Sequence, residues 1–412
     1  MPLIQPFRGL RPVSEHASDV VAPPYDVLNT AEARERVKGH PLSFLHISKP
    51  EIDLPEGTDP YSAEVYKKGA ENLKKLIDDQ ILMRDEKACY YVYRLIMGEH
   101  QQTGLVVAAS VADYDTNRIR KHEYTRPDKE DDRVRQIDAL NAQTGPVFLT
   151  YRNNKIVEAI TYKVSKTSPT YDITADDGVK HTIWLVSDDE DINTLTLTFD
   201  AMDCLYIADG HHRSASASRI AAKRNKEKSN IGSAAHDYFL SVIFPDNQMQ
   251  ILDYNRVITD LNGLSEDELI SKIKNSFSVE AVNTVYKPQK SKEFSMYLKG
   301  QWYKLQIKPE LIPENDPVAS LDISLLQNNL IAPLLGISDP RRDKRIDFVG
   351  GIRGLSELEK RVNSGEMQVA FALYPTSLTQ LMDVADANEV MPPKSTWFEP
   401  KLADGLISHV LD

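Results

Sequence analysis

A mixed α/β fold, α+β in two parts, is what this sequence predicts, on three observations. Runs of strand length rich in β-branched and aromatic residues recur along the chain, and amphipathic segments of helical period lie between them. The third is the passage "YIADGHHRSASASRIAAKR", 206–224, which carries a strand end through a turn into a helix. With 412 residues and 41% hydrophobic content, the chain is worth roughly two to three domains and can bury real cores.

The elements follow in order. Proline-rich turns punctuate the opening stretch, and Asn29 or Thr30 is placed to cap a helix over 31–37. Residues 59–82 set Tyr61, Val65, Ala70, Leu73, Leu76 and Ile77 on one helical face. "CYYVYRLIMG" and "QQTGLVVAASVADY" read as a hairpin turning at 98–103; "PVFLTYR", "TYDITA", "HTIWLVS" and "CLYIA" add strands. The last of these feeds the helix after Gly210, whose packing face is Ala215, Ala217, Ile220 and Ala221. "KRNKEKSN", 223–230, reads as a polar connection between that helix and the next strand.

"YFLSVIFPDNQMQILDYNRVI" predicts a hairpin turning at 245–248. Ser265 and Glu268 have capping-box spacing, 293–307 is a hairpin turning at Lys299-Gly300, and Gly336 closes a helix that starts near 321. "VAFALYP" is a buried strand, 376–390 a helix, and "MPPKSTWFEPKL" a proline-rich terminal segment. The expected division is a phosphate-binding part over 1–235 and a second α/β part over 236–412 whose C-terminal segment returns to the site.

Composition narrows the function classes. The 49 basic and 61 acidic residues give a net charge of −12, which repels nucleic acid and anionic membrane. Cys89 and Cys204 stand far apart with no CxxC, so neither a disulfide framework nor a cysteine zinc site is suggested. No apolar run resembles a signal peptide or a membrane span, and a cytoplasmic location is expected. The spacings HExxH, GxSxG, GxxxxGK[ST] and GxGxxG are absent, which argues against zincins, serine hydrolases, P-loop enzymes and dinucleotide-binding folds. The oligomeric state is left open.

The helix after Gly210 opens with the wrong charge. First-turn amides and the positive end of the macrodipole favour acids, yet His211, His212 and Arg213 stand there. A phosphate would accept those amides and pair with the arginine. A second cluster, "IRKHEYTRPDKEDDR" at 119–133, sets Arg126, Lys129 and Arg133 at i, i+3 and i+7, near one face of a helix starting at Pro127. Its plain reading is solvated charge; its functional one is a polyphosphate bridge, with Glu123 and Asp209 as base or metal ligand and His122 as another base. "VVAPPYDVL", 20–28, presents Tyr25 and Asp26 at a turn, and Lys394, Ser395, Thr396 and Lys401 form a candidate anion-binding turn; each is equally readable as structure alone. The metal, if any, is not identified by these spacings.

"APPYDV" at 22–27, "HEYTRPDKEDDR" at 122–133, "ADGHHRSASA" at 208–217 and "MPPKSTWFEPKL" at 391–402 together resemble the DUF1015 family over nearly the whole chain. The ADGHHR stretch also resembles the nucleotide-phosphate turn of the ParB and sulfiredoxin-like superfamily, which includes free-serine kinases. The resemblance implies a nucleotide-phosphate site at Asp209, Gly210, His211, His212 and Arg213 within the larger N-terminal part, and phosphoryl exchange between a nucleotide and serine or phosphoserine.

The expected function is therefore a phosphotransferase between ATP or ADP and a small hydroxyl metabolite, with Mg2+. The rivals are a phosphatase or other hydrolase at the same anion site, a ParB-like nucleotide-binding regulator, and a binding protein without chemistry.

Overall fold

The computed structural model describes residues 1–227 and 234–412, and they form two compact units. Met1–Met249 with Pro400–Asp412 make the first and Gln250–Glu399 the second. The architecture is mixed α/β, as the interleaved strand and helix periods require.

Among the described residues, the first unit is built on a nine-stranded mixed sheet. Its order runs Ile119–Arg120, Leu205–Asp209, Val147–Tyr151, Tyr238–Pro245, His100–Ser110, Tyr90–Met97, Lys180–Val186 and Tyr171–Thr174, with Ile4–Gln5 added to the end of His100–Ser110. Every residue of Tyr238–Pro245 is buried, because it lies inside the sheet, parallel to Val147–Tyr151 and antiparallel to His100–Ser110. Leu105, Val107, Leu149, Ile207 and Phe239 share one apolar core there. A four-stranded sheet joins distant pieces of chain: Leu82–Arg84, Gly9–Pro12, Ser408–Val410 and Ala142–Gln143. It ties the chain's last residues into the first unit.

The second unit carries a six-stranded antiparallel sheet in the order Phe277–Val282, Gln301–Ile307, Glu293–Leu298, Val369–Leu373, Tyr254–Ile258 and Ile346–Gly350. The hairpin at Lys299-Gly300 forms with both turn residues at positive φ, 46° and 85°, which matches the twist of two strands joined by two residues. Gln250–Leu252 pairs with Trp397–Glu399.

Local helix signals translate directly. Asn29 caps Thr30–Arg36 in a capping box with Glu32, Ser265 caps Glu266–Ile273 with Glu268, and Ser377 caps Leu378–Asp386 with Gln380. The amphipathic stretch becomes Ala63–Asp78, with Val65, Leu73 and Leu76 buried as expected, whereas Tyr61 precedes the helix and it and Ile77 are exposed.

Three expectations change. The hairpin at 245–248 does not form: Tyr238–Pro245 pairs within the large sheet, while Gln250–Leu252 and Tyr254–Ile258 pair with other strands of the second unit. The strand before the turn is satisfied on both edges by older neighbours in the chain, so no edge is available. The helix that Gly336 closes, at φ +69°, is interrupted by a π turn over Gln327–Ile331, just ahead of Pro333, whose ring nitrogen has no hydrogen to donate. "KRNKEKSN" is helical through Glu227 instead of looping from 223, and its remainder lies outside the described residues.

Candidate functional site

The strand Leu205–Asp209 ends at Gly210, and the helix His211–Glu227 begins at once. Gly210 has φ +103°, which L side chains rarely adopt, and a Cβ there would lie 3.0 Å from Arg213 Nε. The position therefore needs glycine twice over: for the sharp change of direction and to admit the guanidinium. The Ser214 amide bonds to the Gly210 carbonyl at 3.0 Å, so the amides of His211, His212 and Arg213 are the first-turn donors that precede intrahelical bonding. The first turn contains no acid.

Small residues seat the helix. Ala217, Ile220 and Ala221 are buried in it, as are Ser214 and Ser216. Ser216 Oγ donates to the Glu130 carbonyl of the neighbouring helix Pro127–Leu140 at 3.1 Å, and Arg219 bridges to Asp131 at 2.6 Å. Two helices packed this closely place the 122–133 cluster against the Gly210 turn.

The histidines brace that junction. His122 and His211 meet edge to face with ring centroids 4.5 Å apart, and His211 Nε2 accepts from the His122 amide at 3.4 Å. His212 Nε2 accepts from the Arg126 amide at 3.1 Å. An accepting nitrogen carries no proton, and burial keeps it so: desolvation pushes His122 down to about 4, lowers His211 well below the usual imidazole range with His122 adding to the fall, and lowers His212. Glu123, more than half exposed, faces His211 Nδ1 at 3.7 Å.

Charge gathers around Asp209. Burial works to raise its carboxyl, but the Lys401 ammonium at 3.3 Å and the Arg213 guanidinium at 3.7 Å overcome this and hold it well below the usual carboxylate range. Arg213 also donates from Nη1 to the Pro146 carbonyl. Tyr25 follows Pro24 in a single 3-10 turn, Tyr25–Val27, and the Arg133 guanidinium sits 4.0 Å above its ring centroid while pairing with Asp132 at 2.6 Å.

Of the three cations spaced at i, i+3 and i+7, the structure brings one to this centre. Arg133 joins Tyr25 and Arg213 around a cavity of about 30 Å3, whose wall also includes Ser48, Gly145 and Asp404. Arg126 folds back on Asp128 at 2.8 Å, exposed, and Lys129 donates to Tyr61 Oη at 2.8 Å. Asp26 is exposed on the Tyr25 turn. Lys394, Ser395 and Thr396 belong to the second unit; there the Lys394 carbonyl accepts from Arg256 at 2.9 Å and the Ser395 carbonyl from Thr376 at 2.9 Å.

Asp404 carries no motif in the sequence, and sequence reasoning missed it. Its backbone bridges Ala22 in both directions, at 2.9 and 3.1 Å, which sets it beside the Tyr25 turn. Gly405 follows at φ +88°, where a Cβ would lie 2.7 Å from Phe44 Cβ. The Asp-Gly pair after Lys401 was the one available signal, and it marks only a turn. Among the described residues, no group of three or more His, Cys, Asp or Glu is placed to hold a metal ion, and no helix is long and apolar enough to cross a membrane.

The helix start behind the Leu205–Asp209 strand places two histidines and an arginine within a mixed α/β unit. The chain belongs to the DUF1015 family, described as "Protein of unknown function (DUF1015)", which matches residues 4–324. Among solved structures, it is similar to a free serine kinase variant in complex with AMP, at 12% identity over 72% of this chain and 86% of that one, with a TM-score of 0.36. A conserved hypothetical protein from Pyrococcus furiosus is similar at 14% identity over 73% and 94%, TM-score 0.35. SbnI with C-terminal truncation from Staphylococcus aureus is similar at 11% identity over 72% and 84%, TM-score 0.38. No curated protein matches the sequence.

Proposed function

We propose that this protein is a phosphotransferase that exchanges a phosphoryl group between ATP or ADP and a small hydroxyl metabolite, with magnesium as the nucleotide's counter-ion. The observation that carries the reading is the first turn of His211–Glu227: it follows Gly210 at φ +103°, holds no acid, and sets Arg213 beside its leading amides. Phosphoryl transfer asks the protein for positioning and charge neutralisation more than for covalent chemistry, and this turn supplies both.

In this proposal the amides after Gly210 and the Arg213 guanidinium hold the transferring phosphate. Arg133 and Lys401 add positive charge close by, while Arg126 and Lys129 contribute from the solvent side. Glu123, exposed beside His211, takes the proton of the acceptor hydroxyl. His122, His211 and His212, kept neutral by burial, hold the turn and the 122–126 segment together. Asp209 stays ionised and is the carboxylate that would hold magnesium, because Mg2+ needs only one or two protein carboxylates beside substrate phosphates; bound there, it would neutralise phosphate charge. Serine is the leading acceptor, and phosphoserine the leading donor in the reverse direction, because the family resemblance implies them.

Thermal-shift measurements against ATP, ADP, AMP, pyrophosphate, serine and phosphoserine, each with and without magnesium, test the reading. A ligand of the folded state raises the melting temperature by mass action. A nucleotide-dependent rise that Arg213→Ala removes is the expected result; a flat panel refutes the proposal.

A further inference from the structure

The cavity beside Arg213 is assembled from distant stretches of the first unit: Tyr25, Ser48, Arg133, Gly145, Arg213 and Asp404. At about 30 Å3 it has room for about two water positions. Two independent features make it a built site. Asp404 Oδ1 and Ser48 Oγ, on residues only 1% and 5% exposed, have no hydrogen-bond partner among the described residues. Buried polar atoms in folded proteins are nearly all paired, because an unpaired one gives up its hydration for nothing.

Two guanidinium groups, 15% and 12% exposed, also converge here. Arg133 directs Nε and Nη2 at Asp132, and Arg213 directs Nη1 at Pro146, so each still has donors to offer. A carboxylate, planar and with two oxygens, matches paired guanidinium donors and can share a proton with a neighbouring carboxyl.

We propose that this cavity is a subsite for the carboxylate group of a small organic acid, gripped by Arg133 and Arg213 and sharing a proton with Asp404. The groups facing Asp404 are Arg213 from the site helix, Tyr25 and Asp26 from the turn after Pro24, Arg133 from Pro127–Leu140, and Tyr93 from the Tyr90–Met97 strand. Burial pushes the Asp404 carboxyl up to about 7, with Arg213 pulling it back and Asp26 adding to the rise. At neutral pH it is about half protonated, and an arriving carboxylate drives it to the protonated form, which donates a hydrogen bond instead of repelling. The subsite adds a substrate feature to the phosphotransfer reading of the Gly210 turn, on which it rests for the ligand's other end, yet it is tested by binding alone.

Calorimetric titration with glycolate, acetate and inorganic phosphate, in buffers of different ionisation enthalpy, supplies that test. Saturable binding of both organic acids is expected, with uptake of about half a proton at pH 7 and affinity about tenfold weaker at pH 8 than at pH 6. Asp404→Asn, nearly the same shape, should bring the pH dependence to within about twofold, and Arg133→Gln should weaken binding about tenfold or more. Binding of phosphate alone, carboxylate binding without proton uptake, or no binding of either acid overturns the subsite. The proton count is made on the unmutated protein, so it stands whether or not the variants fold. Carboxylate binding with proton uptake but no nucleotide response overturns phosphotransfer only, and the reverse pattern overturns the subsite only.

Discussion

The helix Glu266–Ile273 begins with Ser265, whose hydroxyl accepts from the Glu268 amide at 3.3 Å while the Glu268 carboxylate accepts from the Ser265 amide at 2.8 Å; three acids fill its first turn. The helix His211–Glu227 begins with Gly210, two histidines and an arginine, with no acid in its first turn. The first start is capped: the Ser265 and Glu268 amides are met by each other's side chains, and its dipole meets negative charge. The second turns two imidazoles aside to accept from the amides of His122 and Arg126 and keeps a cation at the positive end of the dipole. A cation at the positive end of a helix dipole costs stability by itself. The contrast is between a helix whose first turn is acidic and one whose first turn is basic.

Four measurements break or sharpen this contrast. The largest expected effect is that of Arg213→Ala, which should lower the rate of phosphoryl transfer about 100- to 1000-fold and abolish the nucleotide-induced thermal shift. Wild-type turnover and an unchanged shift would make the two helix starts equivalent. Next is Gly210→Ala, which forces a side chain into φ +103° and against Arg213 Nε; urea unfolding should show a loss of about 1–3 kcal/mol. An unmoved midpoint would remove the conformational argument for this turn. Ser265→Ala comes third: about 1 kcal/mol of stability should be lost, with the nucleotide response intact. Should nucleotide binding fall with it, the site would not be local to the Gly210 turn.

The finest test is a slope. His122 titrates near 4 in the fold because burial disfavours its charged form, against about 6.5 in an unfolded chain. The unfolded state takes up the proton first, so the stability His122 contributes is present above about pH 6.5 and is lost as pH falls towards about 4. Denaturation midpoints followed from pH 7 to pH 5 should fall less steeply in His122→Gln than in the wild type. Equal slopes would mean the imidazole is not held neutral against His211.

Where structure depends on neighbours three or four residues away, the sequence is legible. Asn29 with Glu32 and Ser265 with Glu268 close their boxes within one turn, and Lys299-Gly300 turns its hairpin through its own φ angles. The Gly210 turn belongs to the same class, since its charge and its glycine are adjacent in the chain. Strand pairing is another matter. The hairpin expected at 245–248 assumed that neighbours in sequence pair, whereas Tyr238–Pro245 finds both its partners far upstream, in His100–Ser110 and Val147–Tyr151. The spacing of Arg126, Lys129 and Arg133 correctly set them on or beside one helix, but Asp128 two residues on holds Arg126, while Tyr61 and Tyr25 from elsewhere in the chain hold Lys129 and Arg133.

By itself, then, the sequence determined the mixed α/β alternation, the capped helix starts at Asn29 and Ser265, and the basic, glycine-led turn after Asp209. Only the tertiary structure decided that Lys401 pairs with Asp209, that Arg133 and not Arg126 or Lys129 turns inward, and that Asp404 closes a cavity beside Arg213. Hydrogen bonds within a turn are written in neighbouring residues. A carboxyl's proton affinity is set by the burial and charge that the whole fold assembles around it, and for Asp404 those come from Ala22, Tyr25, Gly145 and Arg213, each far away along the chain.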